Sequence, residues 1–323
     1  MVFGGDKMKI LVTGGAGYVG SIFIPILLRD GHNVRVLDNL MFNQTVLLEH
    51  SRLPQFEFVK GDITKKYDVK KSLEGIDMIV HLAALVGYPL CGKYPELAKK
   101  INIDGTKNMN KARGNIPMVF TSTGSVYGDL EETCTEKSCV KPLSLYAETK
   151  LLAEREVMSG GEYIIFRPAT AFGVSPMMRL DLIINDFTYI AYTKKKLAVY
   201  EPNARRTFIH VYDFSRALLH AIHNFDKMKN QVYNLGVNDL NITKLDIVNT
   251  LHRYVKFSSS LSIGEDIDKR DYRVSYNKIE STGFSGSFNL DDGIKELIKT
   301  FSMIGSGIES MKRTSLPNVI VED

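Results

Sequence analysis

A short apolar run breaks into closely spaced glycines over Lys9-Ile-Leu-Val-Thr-Gly-Gly-Ala-Gly-Tyr-Val-Gly20, a pattern that few folds accommodate. The apolar residues read as a buried β-strand, and the next residues carry helical apolar spacing. Gly14 permits the tight turn between the two. Gly17 lets backbone N–H groups come close to a bound anion, and Gly20 lets the helix pack closely on the strand. A second strand, Asn33-Val-Arg-Val-Leu-Asp38, comes after the helix and ends in an acid. Strand, helix and strand make a βαβ unit, and its crossover implies a parallel sheet with helices on both faces.

The remaining chain repeats that alternation. Strands are expected at Ile10–Thr13, Val34–Leu37, Glu57–Lys60, Met78–His81, Met118–Ser122, Tyr163–Arg167 and Val232–Leu235, and helices at Gly17–Asp30, Pro95–Arg113 and Leu145–Met158. The fold class expected is α/β, a Rossmann-type doubly wound parallel sheet. After Arg167 the alternation gives way to loops and short elements, which predicts a smaller substrate-binding lobe interleaved with the sheet domain. The boundaries read as 1–168 with a return over 206–238 for the sheet domain, 169–205 and 239–302 for the lobe, and 303–323 for a C-terminal tail.

Asp38 falls about 20 residues beyond the glycines, where a carboxylate can accept both ribose hydroxyls of NAD. The same carboxylate would repel a 2′-phosphate, so NAD is favoured over NADP. Hydrophobic residues make up 44% of 323 positions, enough for a sizeable core, and no apolar run approaches the ~20 residues of a membrane span. The opening residues lack the apolar stretch of a signal peptide, and Met8 reads as the more natural start. Three cysteines form no disulfide framework, and a Cys134–Cys139 zinc half-site lacks partners at ligand spacing, so a reducing, cytoplasmic setting without a metal is expected. The net charge of +4 is spread over both signs, and Lys194-Lys-Lys196 reads as a solvated helix end, not a nucleic-acid patch.

Far downstream, Tyr146-Ala-Glu-Thr-Lys150 puts a tyrosine and a lysine four residues apart on one helix face. A nearby ammonium favours the phenolate, which would make Tyr146 a usable general base. The strand at Met118–Ser122 runs into Thr123-Gly-Ser-Val-Tyr127, placing hydroxyls at the C-terminal sheet edge where ligands bind. Thr123 is therefore expected to hold the substrate hydroxyl whose proton Tyr146 removes.

These residues, in this order, resemble the extended short-chain dehydrogenase/reductase family, in particular its NAD-dependent nucleotide-sugar epimerases and dehydratases, over nearly the whole chain to about Phe301. The resemblance implies a cofactor wall of Gly14, Gly17, Tyr18, Val19, Asp38, Asn39, Asp62, Ile63, Leu82, Ala83 and Ala84, with Asn102, Tyr146 and Lys150 behind and beside it. It implies substrate contacts at Val86, Gly87, Thr123, Arg179 and Asn185, with Arg206 and Arg270 gripping the substrate diphosphate, a pairing that suits guanidinium forks. His210 and Asp213, in the same stretch as Arg206, read as structural. A homodimer built from the Pro95–Arg113 and Leu145–Met158 helices is also implied.

Two departures narrow the activity. The family's 4,6-dehydratases carry Thr-Asp-Glu where this chain has Thr123, Gly124 and Ser125, so elimination lacks its acid and base. The asparagine of hexose 4-epimerases in Arg-x-x-Asn-Pro falls on Thr170, which argues against a simple UDP-galactose 4-epimerase. Ser175-Pro-Met-Met-Arg-Leu-Asp-Leu-Ile-Ile-Asn-Asp-Phe187 and Leu85-Val-Gly-Tyr-Pro-Leu-Cys91 are similar to a bacterial branch acting on GDP-manno-heptose, with Met177 in place of that branch's first arginine. The expected chemistry is oxidation of a sugar C4 hydroxyl to a 4-keto intermediate, by a 4-epimerase or a 4-dehydrogenase. A 4-keto-sugar reductase and a non-catalytic dinucleotide sensor of the same fold remain the alternatives.

Overall fold

The computed structural model describes residues 7–130, 132–263 and 271–305. Seven strands form one sheet: β1 (Lys9–Thr13), β2 (Asn33–Asp38), β3 (Phe56–Lys60), β4 (Met78–His81), β5 (Met118–Thr121), β6 (Tyr163–Pro168) and, late in the chain, β10 (Gln231–Leu235). Their order is β10-β6-β5-β4-β1-β2-β3, and every neighbouring pair runs parallel. The order reverses at β1, so the C-terminal ends of β1 and β4 diverge there and open the crevice that a doubly wound sheet offers to a ligand. Both faces are covered. One apolar layer gathers Phe23, Leu27, Val80 and Phe166, and the other gathers Leu11, Ile79, Phe120 and Ile165. Buried on both faces, β1, β4 and β5 are apolar nearly without interruption, which is why they read so clearly as strands.

The lobe builds on two small sheets. β7 (Thr170–Phe172), β9 (Arg205–His210) and β11 (Asn241–Thr243) form one, and β8 (Lys196–Tyr200) pairs in parallel with β12 (Ser258–Ser262) in the other. Its core of Phe172, Ile184, Tyr189, Phe208, Leu251 and Phe301 is separate from the two central layers. β9 pairs with β7 and β11, yet its Ile209 already packs into a central layer, and the Val211–His223 helix that follows packs on the Gly20–Arg29 helix. Lys194, Lys195 and Lys196 are exposed at a helix end, as read from sequence.

Three local differences have physical causes. The first helix begins at Gly20 instead of Gly17, since Gly14–Val19 is spent on the turn. A Cβ on Gly20 would stand 2.4 Å from the Gly15 carbonyl oxygen, while the close approach to a strand is made by Gly15, against Val36 at 2.8 Å. The stretch expected as one helix from Pro95 to Arg113 is α-helical at Pro95–Lys99 and Thr106–Ala112 but π-helical across Lys100–Gly105. That wide turn holds Asn102, whose side chain leaves the helix to pair with the Leu85 backbone in both directions. Within the described residues no helix is long and apolar enough to cross a membrane.

Candidate active site

At the C-terminal edge of the sheet lies a cleft of about 470 Å³ that runs from the glycine turn to the start of the Leu145–Met158 helix. Gly14 has φ of +70°, and a Cβ there would stand 2.7 Å from the Ala83 backbone, so only glycine lets the β1 and β4 ends meet. Asp38, at the end of β2, accepts from the Ala16 amide at 3.0 Å and the Leu40 amide at 2.9 Å, which fixes its carboxylate beside the turn. Asn39 donates to Asp62, whose other oxygen accepts from the Thr64 amide. Gly17, Tyr18, Val19, Ile63, Leu82, Ala83 and Ala84 line the same wall.

At the other end, Ser144 caps the Leu145–Met158 helix by accepting from the Ala147 amide, and the first turns carry Tyr146 and Lys150 into the cleft. Thr123 faces them from the end of β5. Its hydroxyl oxygen accepts from the Ser125 amide at 3.2 Å, which leaves the hydroxyl hydrogen to be donated to a ligand. Lys150 is buried, with its Nζ 4.2 Å from the centre of the Phe120 ring. Burial pulls its pKa from 10.5 down to about 7, against the opposing influence of Glu154 and Cys91.

Beneath these groups runs a hydrogen-bonded chain whose directions are fixed by its ends. Thr106 donates to the Asn102 carbonyl, so its oxygen must accept from His81 Nε2–H at 3.1 Å. The other ring nitrogen then accepts, and Thr13 donates to it at 2.6 Å while receiving the Ala83 amide. Asn102 Nδ2 donates onward to Thr149, which donates to the Tyr146 carbonyl. Burial, with the Lys150 and Arg113 charges, holds the His81 pKa down at about 3, consistent with the neutral ring this chain requires. His81 therefore joins the turn wall at Ala83 to the helix that carries Tyr146.

On the lobe side, Arg179 and Arg206 reach the cleft together with Val86 and Gly87. Arg179 is gripped by both carboxylate oxygens of Asp181, and a Cβ on Gly87 would stand 3.6 Å from its Nη2. Burial works against the Arg179 charge, but the Asp181 carboxylate outweighs it and raises the pKa. Arg167 forms a two-pronged buried pair with Glu154, one turn beyond Lys150, and also donates to Tyr127. His210, which pairs with Glu296, and Asp213, which accepts the Ser287 and Phe288 amides, act as structural struts.

One expected contact is corrected. Asn185 is fully buried and does not line the cleft: its oxygen accepts the Gly173 amide, and its nitrogen donates to Tyr18 and the Arg179 carbonyl. Asn102, expected behind the wall, does not line the cleft either and is satisfied by Leu85 and Thr149. Arg270 lies outside the described residues. Sequence reasoning missed Ser122, Asp181, Tyr88, Phe42 and Tyr272, which line the cleft. Of these, Asp181 stands two residues from Arg179, within side-chain reach, Ser122 ends the β5 run and Tyr88 lies in the Leu85–Cys91 stretch, while Phe42 and Tyr272 carry no local signal.

The residues present fit a bound NAD. The glycine turn offers close approach, Asp38 presents a carboxylate to the same cleft that could accept ribose hydroxyls, and Ser122 Oγ is buried with no hydrogen-bond partner among the described residues. Residues 10–236 match the NAD dependent epimerase/dehydratase family. A putative UDP-glucose 4-epimerase of Methanocaldococcus jannaschii is 28% identical over 90% of this chain and 97% of its own. The structure of MoeE5 in complex with UDP-glucose and NAD is similar at a TM-score of 0.79 and 25% identity, covering 92% of this chain and all of that one. DesIV, a dTDP-glucose 4,6-dehydratase from Streptomyces venezuelae with NAD and TYD bound, shares the fold at a TM-score of 0.83 and 24% identity over 92% and 97% of the two chains. The glycine turn, the acid ending β2 and the Tyr146–Lys150 helix define a dinucleotide-dependent enzyme of the short-chain dehydrogenase type. The chain belongs to the NAD-dependent epimerase/dehydratase family.

Proposed function

We propose that the protein oxidises the C4 hydroxyl of a nucleotide-diphosphate sugar to a 4-keto intermediate, as a 4-epimerase or a 4-dehydrogenase. The observation that carries this reading is that Tyr146, Lys150 and Thr123 line the same cleft as the glycine turn and Asp38. NAD, when bound, supplies the hydride acceptor. Tyr146 as phenolate takes the C4 hydroxyl proton, and Thr123 orients that hydroxyl. Burial disfavours the Lys150 ammonium, but a phenolate beside it favours that charged form, which stabilises Tyr146 in turn, and the same side chain would hold the nicotinamide ribose. Arg206 meets the diphosphate and Arg179 the sugar end. Gly124 adds no carboxyl for elimination, and a Cβ there would stand 3.1 Å from the Pro168 carbonyl oxygen, which crowds any longer side chain.

Purified protein is incubated with GDP-, UDP-, dTDP- and CDP-sugars, GDP-heptoses and UDP-glucuronic acid among them, and followed by NADH absorbance and NMR of the sugar. Inverted C4 without net NADH identifies a 4-epimerase, and net NADH with a 4-keto product a dehydrogenase. Turnover unaffected by Tyr146→Phe would remove Tyr146 as the base. No turnover of any sugar, with NAD still bound, would favour a dinucleotide sensor. A homodimer through the two helical segments at Pro95–Ala112 and Leu145–Met158 belongs to the same proposal, and a monomeric mass by light scattering would refute it.

A further inference from the structure

We infer that Asp30, His32 and His223 form a second site, for a borderline divalent cation of the zinc class, at the sheet edge opposite the cleft. The first helix ends at Arg29 with Asp30 as its cap, and His32 precedes β2. His223 is the last residue of the helix that packs on it. All three lie where strands begin, whereas the cleft lies where they end. His223 Nε2 is 2.7 Å and His32 Nε2 3.2 Å from the same Asp30 oxygen, and the three ligand atoms fall within 4.8 Å of one another. The donors of a tetrahedral zinc stand about 3.3 Å apart, given bonds of about 2.0–2.1 Å. Two imidazoles and one carboxylate are the donor set that such a cation takes, with a fourth position left for water.

An independent observation points the same way. His32 is 2% exposed, and its buried Nε2 stands 3.2 Å from the Asp30 carboxylate without the alignment of a hydrogen bond, and it makes no other among the described residues. A buried ring nitrogen in that state is one that a ligand would satisfy. One bond opposes coordination: the Met8 amide donates to His32 Nδ1 at 3.3 Å, and metal on Nε2 moves the ring proton to Nδ1. That contact is long, and giving it up costs about tenfold in affinity. A bound cation would cross-link the end of the first helix, the start of β2 and the end of the Val211–His223 helix, segments up to 193 residues apart.

The test uses the full chain carrying Cys139→Ser, since Cys139 is an exposed thiol that would itself take zinc. Chelator-stripped protein is titrated with Zn²⁺ by calorimetry and with Co²⁺ by visible absorption. One equivalent is expected, with the intense visible bands of tetrahedral cobalt and a rise in melting temperature. His223→Ala, at a partly exposed helix end, and Asp30→Asn should each weaken binding by about a hundredfold and leave NAD affinity unchanged. Absence of saturable binding, or binding that survives His223→Ala within tenfold, would overturn the site and leave a His–Asp–His ion-pair cluster with no metal role.

Discussion

Replacing Lys150 by methionine keeps the length of the side chain and removes its charge, and the consequence for stability can be worked out with its sign. The folded-state pKa of Lys150 is about 7 against 10.5 for an ordinary lysine, a fall that corresponds to about 5 kcal/mol against the charged form. Between those two values the unfolded chain holds a proton that the folded chain has released, so wild-type stability rises with pH across that window. Below about pH 7 both states are protonated and the full cost of the buried ammonium is present. The Lys150→Met protein lacks this dependence. From about pH 6 to pH 9 the wild type should therefore gain about 2–3 kcal/mol relative to the variant. Urea unfolding of the cofactor-free proteins at both pH values measures this, read from midpoints at constant slope. Parallel pH dependences in the two proteins would refute the reasoning. The variant should lose turnover at the same time, since no methionine can stabilise a phenolate.

Gly14→Ala puts a Cβ 2.7 Å from the Ala83 backbone at a left-handed φ, so it should cost about 1–3 kcal/mol and abolish NAD binding, as followed by denaturation and fluorescence titration. Glu154→Gln leaves the Arg167 guanidinium buried without its carboxylate, and a loss of about 3–5 kcal/mol is expected in the same unfolding assay. Asp38→Ala should weaken NAD and narrow its advantage over NADP, because the carboxylate that would repel a 2′-phosphate is gone; unchanged discrimination would refute that role. Asn185→Ala should lower the melting temperature while the KM of whichever sugar nucleotide is turned over stays within about threefold, since the side chain is occupied by Gly173, Tyr18 and Arg179.

Much of this was legible because it is local. β1, β4 and β5 declare themselves by unbroken apolar runs, Gly14 by its turn, and Tyr146 and Lys150 by a spacing that any helix converts into a shared face. The features that escaped reading depend on partners distant in sequence. Asn185 stands in a stretch similar to known substrate-binding segments, but its neighbours Gly173 and Tyr18 are visible only once the lobe folds against the glycine turn. His32 and His223 meet because two helices pack, and no window of sequence holds both. The β7 and β11 strands are three residues each and pair with β9 across long connections, so their alternation is too brief to register.

The wide turn at Lys100–Gly105 carries a consequence for how this chain can vary. A π turn holds one residue more than the α-helix on either side, and each added residue rotates the downstream helix by about 100°. Asn102 is held upstream by Leu85 and Thr149, while Thr106 is held downstream by His81. The two ends are thus phased independently, and the count of residues between them is locked. Exposed side chains along this segment are open to exchange, but its length is not: one residue fewer would straighten the helix and swing either Asn102 or Thr106 away from its partner.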